Sequence, residues 1–456
     1  MPVASFLIGW FDDNDIDFGP LAAGISFSLF IVGLFVFGVS FGNVVSIFFA
    51  LAPVWMPPIL FHFFFERWMD TVGLKFYLSQ GRKTLRLKIP QEIFKSPEAM
   101  EFVLAQIHNT ANPDNLMQTY LDGKRPLPFS FEIVSIGGEI RFYVNLPTRK
   151  TSNAFEANIY AQYPGIEVVE EPVDYAGEVP LESFEDQYEV FAAHMRKKKD
   201  QEFPIKSYIE FGLDKMPKEE EKVDPITPTL DVLANIKPFE RVYVQFICRS
   251  FRPNSFKNGQ LMLGESDDWT KGVEKKVNEL MMRDPKTKLS KHKVDEEGES
   301  GVSGNPLITA GERAKIEAME RNVTKYAYLV GMRWIYVTKK GHFNGDLINP
   351  LIRMYSQYDS IGRNAIGVAW RTDFDYKDFF PDKKAHELHV LKRQELKEFK
   401  LRKYFPKGGL DGYKIFTVEE LSTMFHLPGK VAITPTLERI PSTRAEAPSN
   451  LPTGEI

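Results

Sequence analysis

The sequence predicts an α+β protein with transmembrane helices at its N-terminus, and three observations carry that prediction. Residues 21–65 contain no charged side chain. Two later stretches, 80–175 and 227–380, alternate between strand-like and helix-like periodicity. Past residue 430 the chain turns rich in Pro, Thr and Ser, with little apolar surface to bury.

The apolar run comes first. A bilayer core of about 30 Å takes roughly 20 apolar residues per helical crossing, so 21–65 suits two spans, 21–41 and 44–64, reversing at Gly42-Asn43. Pro53, Pro57 and Pro58 each remove a backbone donor and should kink the second span or carry its end to the interface. One tilted span followed by an interfacial segment is the alternative, and a buried soluble helix pair is the third. A cleavable signal peptide does not fit, since nothing basic precedes the run and it far exceeds an h-region. The basic residues follow the run, at Arg67, Lys75, Arg82, Lys83, Arg86 and Lys88, which places the large C-terminal part in the cytoplasm.

Composition narrows the remainder. The 456 residues carry a formal net charge of -4 and a pI near 6.2, which argues against a dedicated nucleic-acid coat. Cys248 is the only cysteine, so a disulfide framework and a Cys-based metal cluster are excluded.

The first α/β stretch, 80–175, opens with a strand at 84–89, where Leu85, Leu87 and Ile89 share a face. Ser96, Pro97 and Glu98 then start a helix that runs to about His108. A hairpin over 129–136 and 139–146 turns at Gly137-Gly138, a helix covers 152–163, and a short strand ends the set at 166–169. Strand, helix, strand, strand, helix, strand is the ferredoxin-like, split βαβ order. Residues 176–226 read as a joining region with a strand-like piece at 206–211.

The second stretch, 227–380, repeats this plan without obvious identity. It has a helix at 230–236, a strand at 240–249 and a helix at 269–282. A charged, Gly-rich insertion without period, 283–306, is expected to be mobile. A capping box, Thr309 with Glu312, opens another helix, followed by a strand at 329–337, a helix at 347–358 and a strand at 365–370. The region 381–430 holds a charged helix, 386–404, suited to solvent or to a lever over another domain, and a second capping box at Thr417 and Glu420. The tail, 431–456, is expected to be extended or disordered unless a partner orders it.

No catalytic, cofactor-binding or metal-binding constellation is visible. Six of the eight histidines are scattered, and His386 and His389 lie three apart among charged neighbours without a third ligand. No P-loop spacing occurs, because Gly429-Lys430 is followed by Val431 and lacks the hydroxyl that holds magnesium.

Several stretches resemble a known family: Leu87-Lys88-Ile89-Pro90, Lys95-Ser96-Pro97-Glu98-Ala99-Met100-Glu101, residues 131–142 and Ile159-Tyr160-Ala161-Gln162-Tyr163-Pro164. They are similar to the uncharacterised DUF8128-like membrane-proximal domain of candidate-phylum bacteria, which stands before HerA-like or conjugative coupling ATPases of type IV secretion-like systems. Residues 416–428 and 442–452 resemble the linker into that motor. The resemblance implies candidate docking residues at Glu419, Glu420, Leu421, Met424, Phe425, His426, Leu427 and Pro428. The ATPase part of the pattern is not matched, so either a separate chain supplies motor activity or the sequence is a truncated piece of a longer protein.

The leading expectation is therefore a non-enzymatic membrane adaptor or assembly domain, with lipids and an ATPase in trans as partners and self-assembly open. A nucleic-acid-handling domain is the second class. Its lipid or nucleic-acid contacts would be Arg82, Lys83, Arg86, Arg196, Lys197, Lys198 and Lys199, with Lys392, Arg393, Lys397, Lys400 and Arg402 on the charged helix. A membrane enzyme with an unfamiliar site is the third.

Overall fold

The computed structural model describes residues 41–90, 95–148, 151–181, 184–214, 223–252, 268–281, 308–372, 381–404, 413–429 and 436–440. It divides into one unit ending at Val72 and another beginning at Gly73.

The described part of the first unit is helical. Helix α1 spans Phe41–Ala50 and α2 spans Ala52–Ser79, the latter continuing into the second unit. Gly42 and Asn43 are helical, so the expected reversal there is not made. The proposed first span, 21–41, lies almost wholly outside the described residues. Among the described residues no single helix is long and apolar enough to cross a membrane. The pieces Phe48–Val54 and Ile59–Ser79 pass that test together, bent by 54° at the break that holds Pro57 and Pro58.

Among the described residues of the second unit ten strands join into one sheet. Its first half comprises β1 (Arg82–Pro90), α3 (Pro97–Ile107), β2 (Phe129–Ile136), β3 (Glu139–Pro147), α4 (Thr151–Gln162) and β4 (Glu167–Glu170). These strands pair antiparallel in the order β4-β1-β3-β2. Gly137 and Gly138 hold φ of +60° and +92°, as a two-residue hairpin turn between right-twisted strands requires. Ser96 precedes α3, but its hydroxyl makes no capping bond; Pro97 and Glu98 mark that end.

The second half comprises β5 (Tyr188–Lys197), α5 (Thr227–Ala234), β6 (Glu240–Ser250), α6 (Trp269–Leu280), α7 (Ala310–Val323), β7 (Ala327–Lys339), α8 (Ile348–Arg353) and β8 (Ile366–Arg371). Its order is β8-β5-β7-β6, and β6 pairs antiparallel with β2 to join the halves. Strand β5 lies inside the expected joining region, whereas the strand-like piece at 206–211 forms turns. The expected mobile insertion, 283–306, is outside the described residues.

One face of the sheet is packed by α3, α4, α5, α8 and the later helix Val418–Met424 over a continuous apolar core that includes Leu87, Phe131, Phe142, Val244, Met332 and Trp334. Helix α9 (Pro381–Lys400) covers the other face, burying Leu396 and Phe399 against Tyr243, Ile335 and Tyr175. It is thus a core helix of its own unit along that stripe. After it, β9 (Lys414–Thr417) pairs with β7, α10 (Val418–Met424) is buried along its length, and β10 (Arg439–Ile440) pairs parallel with β1. The expected disordered tail therefore re-enters the sheet at Arg439 and Ile440; residues 431–435 and 441–456 lie outside the described set.

Candidate functional site

Polar chemistry concentrates in two buried clusters. The first crosses the sheet beneath α9. Glu132, Gln245, Arg333 and His194 occupy successive positions on β2, β6, β7 and β5 by strand register. Gln245 Nε2 donates to Glu132 Oε1 at 2.7 Å, and Arg333 Nε donates to Gln245 Oε1 at 2.8 Å. Glu395 Oε1, from α9, lies 2.6 Å from His194 Nε2 and accepts from Arg333 Nη1 at 3.3 Å.

Arg402 closes the row. Its Nε donates to Glu132 Oε1 at 3.0 Å and its Nη2 to Asp174 Oδ1 at 2.9 Å. Ser130 Oγ and Tyr175 Oη donate to the two oxygens of Glu132, each at 2.6 Å. Burial pushes the Glu132 carboxyl upward, but the Arg402 charge and these hydrogen bonds outweigh it and hold Glu132 below the ordinary 4.5. Arg402 has φ of +49° where α9 ends, a left-handed position usually given to glycine. That conformation costs about 1–2 kcal/mol, which the two carboxylates offset. With both oxygens engaged by donors and no solvent exposure, Glu132 is arranged to hold strands and helix together.

The second cluster contains the residues expected to dock a partner. Glu419 and Glu420 are buried, as are Leu421, Met424, Phe425, His426, Leu427 and Pro428. Glu420 pairs with Lys197 at 2.7 Å, accepts from the Ile205 amide at 2.9 Å and completes the capping box of α10. Glu419 accepts from Arg321 Nε at 3.1 Å and from Ser207 Oγ at 2.6 Å. His426 Nε2 sits 2.8 Å from Asp224 Oδ1, and the Phe425 ring lies 4.5 Å from that of Phe131. These side chains are core in this structure and present no surface to a partner. The reason is that α10 is inserted among strands and helices whose contributions come from far away in the chain. Burial lowers Lys197 from the ordinary lysine value, with the Glu420 charge acting against that shift. Asp224 is pushed up by burial, but the charge and hydrogen bond of His426 bring it below 3.8.

The expected lipid or nucleic-acid contacts divide. Arg82 donates to Asn145 Oδ1 at 2.6 Å and to the Pro128 carbonyl at 2.7 Å; Lys83 pairs with Glu156 at 2.5 Å; Arg86 pairs with Glu438 and with Glu171 at 3.3 Å. Lys197 is internal, Arg196 is half-buried, and Lys198 and Lys199 are exposed. Along α9, Arg393 and Lys397 are exposed, Lys392 and Lys400 are half-buried, and Arg402 belongs to the first cluster. The seven candidates therefore do not form one patch of available cations.

Two clefts flank these clusters. One of about 680 Å³ at the start of α7 is lined by Lys315, Arg321, Arg363 and Glu210; Arg363 and Arg321 are already paired to Glu210 and Glu419. The other, of about 520 Å³, lies between α2 and the turn after α3, with Lys124 and Arg125 in its lining. Among the described residues no group of three His, Cys, Asp or Glu side chains is placed to hold a metal ion.

The model of a domain of unknown function, DUF8128, matches residues 74–363, more than half of the chain. The chain belongs to the DUF8128 family. Comparison with curated proteins and with solved structures finds no match. The DUF8128 match stops just before β8, yet β8, α9, β9 and α10 complete the sheet and both its faces.

The polar row escaped the sequence because each member stands alone in its strand. On strand alternation a lone Glu132 or Gln245 reads as solvent-facing. The available signal is on α9, where Glu395 and Glu398 interleave with Leu396 and Phe399, a stripe that mixes acids with core residues.

Proposed function

We propose that this chain is a membrane-anchored, non-enzymatic adaptor or assembly platform at a bacterial inner membrane, serving a secretion- or conjugation-like ATPase supplied by another chain. The observation that carries the anchoring is the surface of residues 48–68. Phe49, Val54, Phe61 and Phe64 are 65%, 72%, 68% and 74% exposed, and no charged residue interrupts the run before Glu66. Large apolar side chains exposed in such density call for lipid or protein cover. A bilayer suits them because the run is bounded C-terminally by Arg67 and Lys75, which also favours a cytoplasmic position for the α/β part.

The fold supports a scaffold role. The two halves share one spatial strand order, fourth-first-third-second, and the second half adds α6 and α7 between β6 and β7 to the strand, helix, strand, strand, helix, strand succession of the first, so we read them as two ferredoxin-like units joined through β2 and β6. The ATPase partner rests on the family resemblance and would meet the chain beyond Ile440, since residues 419–428 are internal.

Alkaline carbonate extraction of bacterial membranes tests the anchor. The full chain should stay in the pellet, and Phe61→Asp with Phe64→Asp should release part of it. A full chain that is monodisperse without detergent and does not float with vesicles would end the proposal. Co-purification with a HerA-like ATPase, lost on removing residues 441–456 while the domain stays folded, tests the partner.

A further inference from the structure

We propose that the turn over residues 113–125 is a second bilayer contact, in which Leu116, Met117 and Leu121 enter the headgroup boundary and the cations behind them meet anionic lipid phosphates. The proposal rests on the membrane reading above and adds a docked face to what would otherwise be a tether.

The turn is built inside out. Thr119 is buried, whereas Leu116, Met117 and Leu121 are 48%, 64% and 52% exposed. It is also well bonded. Asn115 Oδ1 caps the short helix Leu116–Tyr120 by accepting from the Gln118 amide at 2.9 Å. The Gln118 side chain accepts from the Asp114 amide at 3.0 Å and from Lys124 Nζ at 3.0 Å, and its carbonyl accepts from the Lys124 amide at 2.9 Å. An ordered turn that holds three large apolar groups outward and a threonine inward is matched to an apolar neighbour.

Its surrounding charge points to lipid as that neighbour. The Arg125 guanidinium lies against Gly73 of α2, where an added Cβ would come within 2.1 Å of Cζ. Phe76 of α2 and Gln80, just past its end, line the same 520 Å³ cleft as Lys124 and Arg125, and among the described residues no carboxylate lines it. The turn thus packs on Gly73 and Phe76, in the stretch of α2 that belongs to the second unit. Behind it, burial and the neighbouring charges of Arg125 and Arg249 lower Arg252, which marks a local excess of positive charge. Of the two acids in the turn, Asp114 faces Lys124 at 3.5 Å and Asp122 is exposed. Apolar groups beside clustered cations complement the edge of an anionic leaflet.

Cys248 is the sole cysteine and is buried, so Cys248→Ser provides a background for single labels. An environment-sensitive fluorophore is placed in the full chain at Met117→Cys, at Phe61→Cys as the anchor control and at Val173→Cys as the exposed control. The chain is reconstituted into phosphatidylglycerol-containing vesicles with headgroup-proximal nitroxide lipids. The expected result is loss of roughly half the emission at 61 and 117 and little loss at 173. Replacing phosphatidylglycerol by phosphatidylcholine should weaken quenching at 117 and leave 61 unchanged. Quenching at 61 without quenching at 117 overturns the second contact and leaves the anchor standing; no quenching at 61 overturns both. Equal quenching at 117 and 173 removes the selectivity the proposal requires, and equal quenching at 117 in both lipids removes the anionic contact.

Discussion

Arg402→Met is the most direct probe of the polar row. The substitution removes the guanidinium that donates to Glu132 at 3.0 Å and 3.2 Å, while Ser130, Tyr175 and Gln245 stay in place. Glu132 has no exposed surface, so its charge would be buried without its directly paired cation, and losing one partner of such a pair costs about 3–5 kcal/mol. The lost Asp174 pair adds little, since Asp174 is 37% exposed and such pairs contribute about 0–1 kcal/mol. Methionine keeps the left-handed backbone strain, so that contribution does not change between the two proteins. Urea unfolding of the detergent-solubilised chain, followed by tryptophan fluorescence, measures the difference. Glu132→Gln with Arg402→Met should recover most of the loss, because no uncompensated charge remains.

The pH dependence has a defined sign. In the wild type Glu132 lies below 4.5, so its stabilisation is complete above that value and is lost as pH falls through the folded pKa. Arg402→Met removes the charge and the hydrogen bonds that most oppose burial, so the Glu132 pKa should rise, the folded state should take up its proton at higher pH than in the wild type, and the deficit of the variant should shrink on acidification. A deficit under about 1 kcal/mol, or a double variant no more stable than the single, would refute a buried charge held by Arg402.

Removing residues 411–456 should abolish the folded α/β unit. It deletes the buried side chains of Ile415, Phe416, Val418, Leu421, Met424, Phe425 and Leu427, worth roughly 10–20 kcal/mol together at about 1.5–3 each, against a typical net stability of about 5–15. Removing only 441–456 should leave the melting temperature unchanged; a folded 411–456 deletion would contradict the placement of α10. Asp224→Asn should destabilise at neutral pH, and its difference from wild type should vanish as pH falls through the folded value of Asp224, below 3.8; a constant difference would show that the His426 contact is not ionic. Gly331→Ala places a Cβ 2.5 Å from the Tyr404 ring and should cost about 1–3 kcal/mol by overpacking, with Tyr404→Ala absorbing part of it. Additive losses in that pair would locate the strain elsewhere.

Much of the secondary structure is legible in local pattern. The hairpin at Gly137-Gly138, the strands of 84–89 and 240–249, and both capping boxes follow from periodicity and side-chain chemistry acting within a few residues. Strand β5 is not legible in that way. Buried on both faces, Tyr188–Lys197 loses its alternation, and His194 and Lys197 look polar until Glu395 and Glu420 are brought beside them. Helix α9 likewise shows mixed charge in sequence, because Glu395 and Glu398 become buried only where Arg333 and the sheet meet them.

The sequence by itself determined the uncharged apolar run, the order of elements in the first half and the positions of β6, β7 and β8 in the second, since these depend on composition and local spacing. Tertiary structure alone decided that the halves share one sheet, that Glu419 to Pro428 are core, and that Arg82, Lys83 and Arg86 are engaged within the fold. The physical reason is that burial and ion pairing are set by groups distant in the chain: Glu420 meets Lys197, Arg86 meets Glu438, and Arg402 meets Glu132. A charged residue carries no local mark of whether water or a carboxylate will be its neighbour.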